Sequence, residues 1–90
     1  MKDKIVEEIM FQLLQGEESS GYPLQVNEQD VRRAVGNSDI SGIDRGNLED
    51  FGSFFVDVSL YEYGENPSSV DELIDTIEQA VELTTRGNDW

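Results

Sequence analysis

The sequence predicts an α+β fold: one small acidic domain over residues 1–90, with three helices packed on a short antiparallel β-sheet. Apolar residues recur at helical spacing near both ends of the chain, within 4–15 and 70–81. Between these segments, apolar residues alternate with a period of two from Phe54 to Leu60, which is typical of a strand. A chain of 90 residues can bury one modest core and no second one.

The first helix is predicted over Lys4 to Gln15, and Gly16 is predicted to end it. Phe11 lies off the apolar stripe of this helix, and we expect it to widen the buried face because aromatic side chains are usually buried; the alternative is exposure for a partner. The stripe itself consists of Ile5, Val6, Ile9, Met10, Leu13 and Leu14.

An extended segment, Tyr22 to Val26, is predicted before the second helix, because proline at position 23 restricts its predecessor to extended backbone. Asn27 is then expected to cap a helix of about nine residues that ends at Gly36 and Asn37. Its apolar face consists of Val31, Ala34 and Val35.

Residues 37–50 have a turn-rich composition and are predicted to form an ordered surface loop, anchored by Ile40, Ile43 and Leu48. Long loops in compact domains are often functional, so Asp39 and Asp44 are candidate contact residues. Asn37 to Gly42 also resembles the start of a calcium-binding loop. The glutamate needed at its twelfth position is replaced by Leu48, so we expect a turn held by Asp and Ser side chains and no metal site.

Residues 54–60 form the clearest predicted strand. Because an isolated strand leaves its hydrogen-bonding groups unpaired, Tyr22 to Val26 is its predicted partner, and a third short strand within 37–50 stays open. The last helix is predicted to begin after Ser69, which with Glu72 has the spacing of a capping box, and to run to about Thr85. Its buried stripe consists of Val70, Leu73, Ile74, Ile77, Ala80 and Val81.

Charge is the strongest functional signal. The chain has 20 acidic and six basic residues, a net charge of -14, and neither histidine nor cysteine. This composition lacks the side chains most used in nucleophilic and acid–base chemistry near neutral pH, so we predict a binding protein that is not an enzyme and needs no cofactor. The expected partner is a basic protein, because a chain without a basic patch does not bind nucleic acid directly. The absence of cysteine, of a signal-peptide pattern and of a long apolar run predicts a cytoplasmic protein without membrane contact.

Two groups of residues are candidates for that contact. Asp71, Asp75, Glu78 and Glu82 recur at helical spacing on one face of the last helix; the alternative is a solvated face that keeps the protein in solution. The second group is Tyr61, Glu62 and Tyr63, since tyrosines flanked by acids are typical interface anchors. Trp90 is a further candidate anchor for the same reason. The alternative for the tyrosines is packing at a strand end.

These features favour a small inhibitor, most naturally an immunity-type protein that neutralises a basic toxin, such as a nuclease, by occluding its cationic cleft. Leu60-Tyr61-Glu62-Tyr63, with Pro67 and a helix after it, is similar to the tyrosine-bearing region of colicin DNase immunity proteins, although here the tyrosines are separated and a predicted strand precedes them. The alternatives are a phage-type anti-defence protein or nucleic-acid mimic, and a halophilic adaptor domain without an inhibitory role.

Overall fold

The computed structural model describes residues 1–86, and these residues form four α-helices and no strand. The helices are α1 (Lys2–Ser20), α2 (Glu28–Gly36), α3 (Leu48–Tyr63) and α4 (Val70–Arg86). The predicted α+β fold, with its antiparallel sheet, is therefore wrong. Trp90 lies outside the described residues.

The four helices pack in a ring around one core. α1 packs against α2 and α3, α4 packs against the same two helices, and α1 and α4 lie diagonally opposite each other. The outward faces of α1 and α4 therefore point to opposite sides of the bundle. The largest fully buried side chains of this core are those of Phe51, Phe55, Ile5, Ile9, Leu13, Leu73 and Ile77.

The segment predicted as a strand, 54–60, lies inside α3. Its buried residues follow helical spacing from Phe51 through Phe55 to Val58, and Leu60, expected on the strand's core face, is 58% exposed. Ser59 is also buried, and its hydroxyl donates to the carbonyl oxygen of Phe55 at 2.7 Å, which satisfies the polar group inside the helix. Packing against α1 and α4 thus favours the helix over the β-propensity of the segment.

The predicted partner strand is also absent, because residues 22–26 form an irregular connection between α1 and α2. Its main chain is held by side chains and by burial: the Leu24 amide donates to the Glu17 carboxylate at 2.8 Å, and Val26 is buried. Residues 37–47 form turns, so no third strand occurs there either.

α1 is longer than predicted, because Gly16 lies inside it and the helix ends at Gly21 in the left-handed conformation (φ 77°). Gly16 is needed for close packing, since a Cβ atom at this position would lie 2.7 Å from Nδ2 of Asn66. The expectations that Phe11 and Leu14 are buried are wrong: they are 54% and 51% exposed.

The predictions for α2 and α4 are confirmed in their main features. Asn27 caps α2 in a full capping box, in which its side chain accepts from the Asp30 amide and the Asp30 carboxylate accepts from the Asn27 amide, both at 3.0 Å. Ser69 caps α4 by accepting from the Glu72 amide at 3.2 Å, whereas the Glu72 carboxylate accepts from the Ser68 amide.

None of the helices in residues 1–86 combines the length and the apolar character needed to cross a membrane.

Candidate protein-binding surface

The acidic stripe, defined as Asp71, Asp75, Glu78 and Glu82, occupies the outward face of α4. All four side chains are exposed, because the opposite face of the helix packs Leu73, Ile77 and Ala80 into the core. At 1.5 Å per residue the stripe is about 16 Å long. It therefore presents an extended row of carboxylates on one side of the bundle.

Local partners stabilise part of this stripe. Glu82 forms an ion pair with Arg86 at 2.6 Å, one turn later. Asp75 accepts a hydrogen bond from Gln79 at 2.9 Å. Within residues 1–86, Asp71, Asp75 and Glu78 have no ion pair. Three of the four carboxylates of the stripe are therefore not neutralised by an ion pair within residues 1–86.

Tyr63 lies beside the stripe. Its hydroxyl donates to the Asp75 carboxylate at 3.3 Å, and the side chain is half-buried. This burial is the largest of the effects that raise the pKa of Tyr63 above its ordinary value, with the charges of Asp75 and Glu72 adding to it and a hydrogen bond with Thr76 opposing it. Tyr63 is thus a neutral hydrogen-bond donor at physiological pH.

Tyr61 does not join Tyr63 in a common anchor. In a strand, residues two apart share a face, but in α3 they are about 200° apart around the helix. Tyr61 is accordingly 89% exposed, whereas Tyr63 packs against α4. Glu62, between them in the chain, is exposed at the end of α3.

Asp39 and Asp44 lie in the loop between α2 and α3, which contacts the C-terminal end of α4. The contact is close, because a Cβ atom at Gly42 would lie 2.6 Å from Cγ2 of Thr85. Both aspartates hold the turns of this loop: Asp39 accepts from the amide and hydroxyl of Ser41, and Asp44 accepts from the Gly46 amide at 2.8 Å. The predicted turn held by Asp and Ser side chains is therefore confirmed.

The hydrogen bond from the Ser41 hydroxyl, followed by that from its amide, holds the pKa of Asp39 below its ordinary value. Asp39 is therefore ionised throughout the physiological range. Its carboxylate is exposed and remains accessible while it holds the turn.

The structure thus places Tyr63 and the loop that carries Asp39 and Asp44 against α4. The acidic stripe runs from Tyr63, beside Asp75, to the loop that carries Asp39 and Asp44, beside Thr85. Tyr61 and Glu62 are close to Tyr63 in the sequence, but within residues 1–86 neither forms a side-chain hydrogen bond or ion pair with α4.

A groove of about 370 Å³ between the C-terminal halves of α1 and α3 was missed by the sequence reasoning. Val56, Leu60, Glu65 and Asn66 are among the residues that line it. The signal was present as Phe51, Phe55 and Val58 at helical spacing, but the alternation from Phe54 concealed it. Because α3 was not predicted as a helix, the groove beside it could not be predicted from the sequence.

Within residues 1–86, no three carboxylates are close enough together to hold a metal ion. Comparison of the chain with protein-family models, with curated protein sequences and with solved structures gave no match.

Proposed function

We propose that this protein binds a basic protein in the cytoplasm and inhibits it by covering its cationic cleft with the acidic stripe of α4. An immunity-type role against a basic toxin, most naturally a nuclease, fits this surface best. The observation that carries the proposal is the row of four exposed carboxylates, of which only Glu82 has an ion-pair partner within residues 1–86.

The spacing of the stripe supports a nuclease as the target. Its carboxylates follow one another at about 4.5 to 6 Å along the helix axis, given 1.5 Å per residue. One strand of a DNA duplex carries a charge about every 3.4 Å along its axis. A cleft that binds a nucleic-acid backbone therefore meets a similar, though sparser, row of negative charges on α4.

The net charge of -14 supports fast capture of such a target. Long-range attraction between oppositely charged proteins raises association rates to about 10⁸ to 10⁹ M⁻¹s⁻¹ at low salt. Rapid association is useful to an inhibitor whose target is lethal to the cell that makes it. The same surface would serve a nucleic-acid mimic directed against a defence nuclease, so this alternative differs in the biological origin of the partner and not in the mode of binding.

A halophilic adaptor is supported by a different observation, which is that exposed acids occur on all four helices and lysines number only two. Asp3, Glu28, Glu49 and Asp71 are exposed examples, one from each helix. In that case no single helix is special, and removing charge from α4 has the same effect as removing it elsewhere.

The test compares two variants with the same change in charge. The stripe variant is Asp71→Asn, Asp75→Asn and Glu78→Gln; the control variant is Glu18→Gln, Glu49→Gln and Asp57→Asn, which are exposed on α1 and α3. Asp71 and Glu49 lie in first turns, so loss of a favourable helix-dipole interaction is matched as well.

The probe is the purified product of the gene adjacent to the one encoding this chain, assayed for cleavage of fluorescent DNA and RNA with and without stoichiometric protein. We expect inhibition by the wild type, with association about tenfold slower and less salt-dependent for the stripe variant than for the control. Equal loss in both variants, or no inhibition of a neighbouring basic nuclease, would contradict the proposal.

A further inference from the structure

We propose that the groove between α1 and α3 binds an arginine side chain of the basic partner. The inference rests on the proposed function, because the arginine belongs to the protein that the acidic stripe captures. It adds a second contact, which the same partner reaches across the α3–α4 connection, because Glu65 and Asn66 of the groove lie a few residues before the start of the stripe at Asp71.

The electrostatics of the groove favour a cation. α1 ends at Ser20 and α3 at Tyr63, and residues from both ends, Ser19, Ser20, Leu60 and Gly64, line the groove. The C-terminus of a helix carries a partial negative charge of about half an elementary charge. Neither helix has a basic residue in its last turn, so two uncompensated C-termini meet here.

Glu65 adds a full negative charge. The groove continues into a second one, of about 200 Å³, which passes Tyr22 and Pro23, and the two share Ser20, Glu65 and Asn66. Glu65 is the one charged residue among those that line either groove, so no lysine or arginine of residues 1–86 competes for it.

The hydrogen-bonding groups of the groove favour a ligand that donates. Nδ2 of Asn66 donates to the Leu13 carbonyl oxygen, and Nε2 of Gln12 donates to the Glu8 carboxylate, both at 2.8 Å. Each internal bond uses one N–H of the amide and fixes the orientation of the group, and neither amide oxygen accepts a hydrogen bond within residues 1–86, so both oxygen atoms remain as acceptors. A guanidinium group presents five N–H donors and no acceptor, and so it matches this set.

The apolar part of the groove accommodates the stem of the same side chain. Val56 is half-buried and Leu60 is 58% exposed, so both offer carbon surface beside the acceptors. Arginine packs its methylene groups along such surface while its charged end stays at the polar rim. A volume of about 370 Å³ lies within the range of about 300 to 1,000 Å³ of known ligand pockets.

The experiment uses the full-length, ¹⁵N-labelled protein and a peptide, so it does not depend on identifying the partner. Acetyl-Gly-Arg-Gly-amide is titrated in 50 mM salt and followed by amide chemical shifts; the matched peptide contains citrulline, which has the same shape without the charge. We expect the arginine peptide to shift Gly16, Ser59 and Gly64 more than residues of the acidic stripe, and the citrulline peptide to have little effect.

Two variants distinguish binding in the groove from nonspecific electrostatic attraction to the acidic protein. Glu65→Gln should weaken binding of the arginine peptide about threefold, whereas Glu18→Gln, which removes one exposed charge from the outer face of α1, should leave it unchanged. Shifts concentrated on α4, or equal weakening by the two variants, would overturn the proposal. Such a result would leave the inhibitor proposal standing, since that depends on the stripe variant and the nuclease assay.

Discussion

Nδ2 of Asn66 donates a hydrogen bond to the main-chain carbonyl oxygen of Leu13 at 2.8 Å, and thereby joins the α3–α4 connection to the middle of α1. The residues are 53 positions apart in the chain. The contact is possible because Gly16, one turn after Leu13, presents no side chain to the incoming amide. One residue pair therefore fixes how the loop after α3 lies on α1, and with it the shape of the groove.

Gly16→Ala should destabilise the protein by about 1 kcal/mol, because the new Cβ displaces Asn66 and breaks its hydrogen bond, which outweighs the better helix propensity of alanine. Gly36→Ala is the matched control, since a Cβ atom there meets no other atom within 4 Å, and it should be neutral or stabilising. Urea denaturation measures both. Asn66→Ala should cost little more in the Gly16→Ala background; full additivity would mean that the two residues do not interact.

Asn27→Ala should lower the free energy of unfolding by about 1 kcal/mol, because the side chain of Asn27 satisfies the Asp30 amide at the start of α2. Gln29→Ala, an exposed change in the same turn, should stay within about 0.5 kcal/mol of the wild type. Thermal unfolding followed by circular dichroism compares them. Similar losses in the two variants would show that α2 depends on its buried face and not on its cap.

α2 and α4 were predicted correctly from the sequence, whereas α3 was predicted as a strand. For α2 and α4 the cap, the first-turn acids and the apolar stripe all indicate the same element, and the structure agrees. For α3 the local signals conflict: alternation from Phe54 to Leu60 and β-branched residues favour a strand, whereas Phe51, Phe55 and Val58 have helical spacing. Tertiary packing against α1 and α4 decides between them, and a single sequence does not show that packing.

Because α3 was predicted as a strand, the sequence predicted only those parts of the candidate surface that do not depend on α3. The acidic stripe needed only the period of one helix, so its residues are exposed on one face as expected. The pairing of Tyr61 with Tyr63 needed a strand, and the groove needed α1 and α3 side by side. Phe11 was misplaced for a related reason, since the face of α1 that is covered depends on where the other helices lie.

Truncation of Tyr63 should destabilise the protein much more than truncation of Tyr61. Tyr63→Ala should destabilise the protein by about 1 kcal/mol or more, because it removes a half-buried ring from beside α4. Tyr61→Ala should change stability by less than about 0.5 kcal/mol, since that side chain is 89% exposed. Chemical denaturation of the two variants under one condition provides the comparison, with Tyr63→Phe isolating the hydroxyl bond to Asp75. A larger effect at Tyr61 would contradict the burial of the two side chains.

Ser41→Ala should raise the pKa of Asp39 toward its ordinary value, because the Ser41 hydroxyl is the main cause of the lowered pKa. A carboxylate whose pKa is lower in the folded state stabilises the fold above its unfolded pKa, and this stabilisation is lost as the pH falls through the folded value. The side-chain carboxyl ¹³C shift of Asp39, followed during acid titration, measures the pKa directly. Ser53→Ala, an exposed serine on α3, should leave it unchanged. An unaltered pKa in Ser41→Ala would mean that the amide of residue 41 alone holds the carboxylate.

The protein should be folded at low salt, and this outcome separates the inhibitor from the halophilic adaptor. Its core contains Phe51, Phe55 and Ile77 with essentially no exposure, so apolar burial opposes the repulsion that a net charge of -14 creates. Repulsion between exposed carboxylates is already strongly screened at about 0.1 M salt, where the Debye length is about 10 Å. We therefore expect helical circular dichroism at 10 mM salt, a melting temperature that rises up to a few tenths molar, and little change beyond. A chain that is unfolded below molar salt and helical above it would show that its acidity serves a saline environment. The charge of the acidic stripe would then no longer support binding to a basic partner.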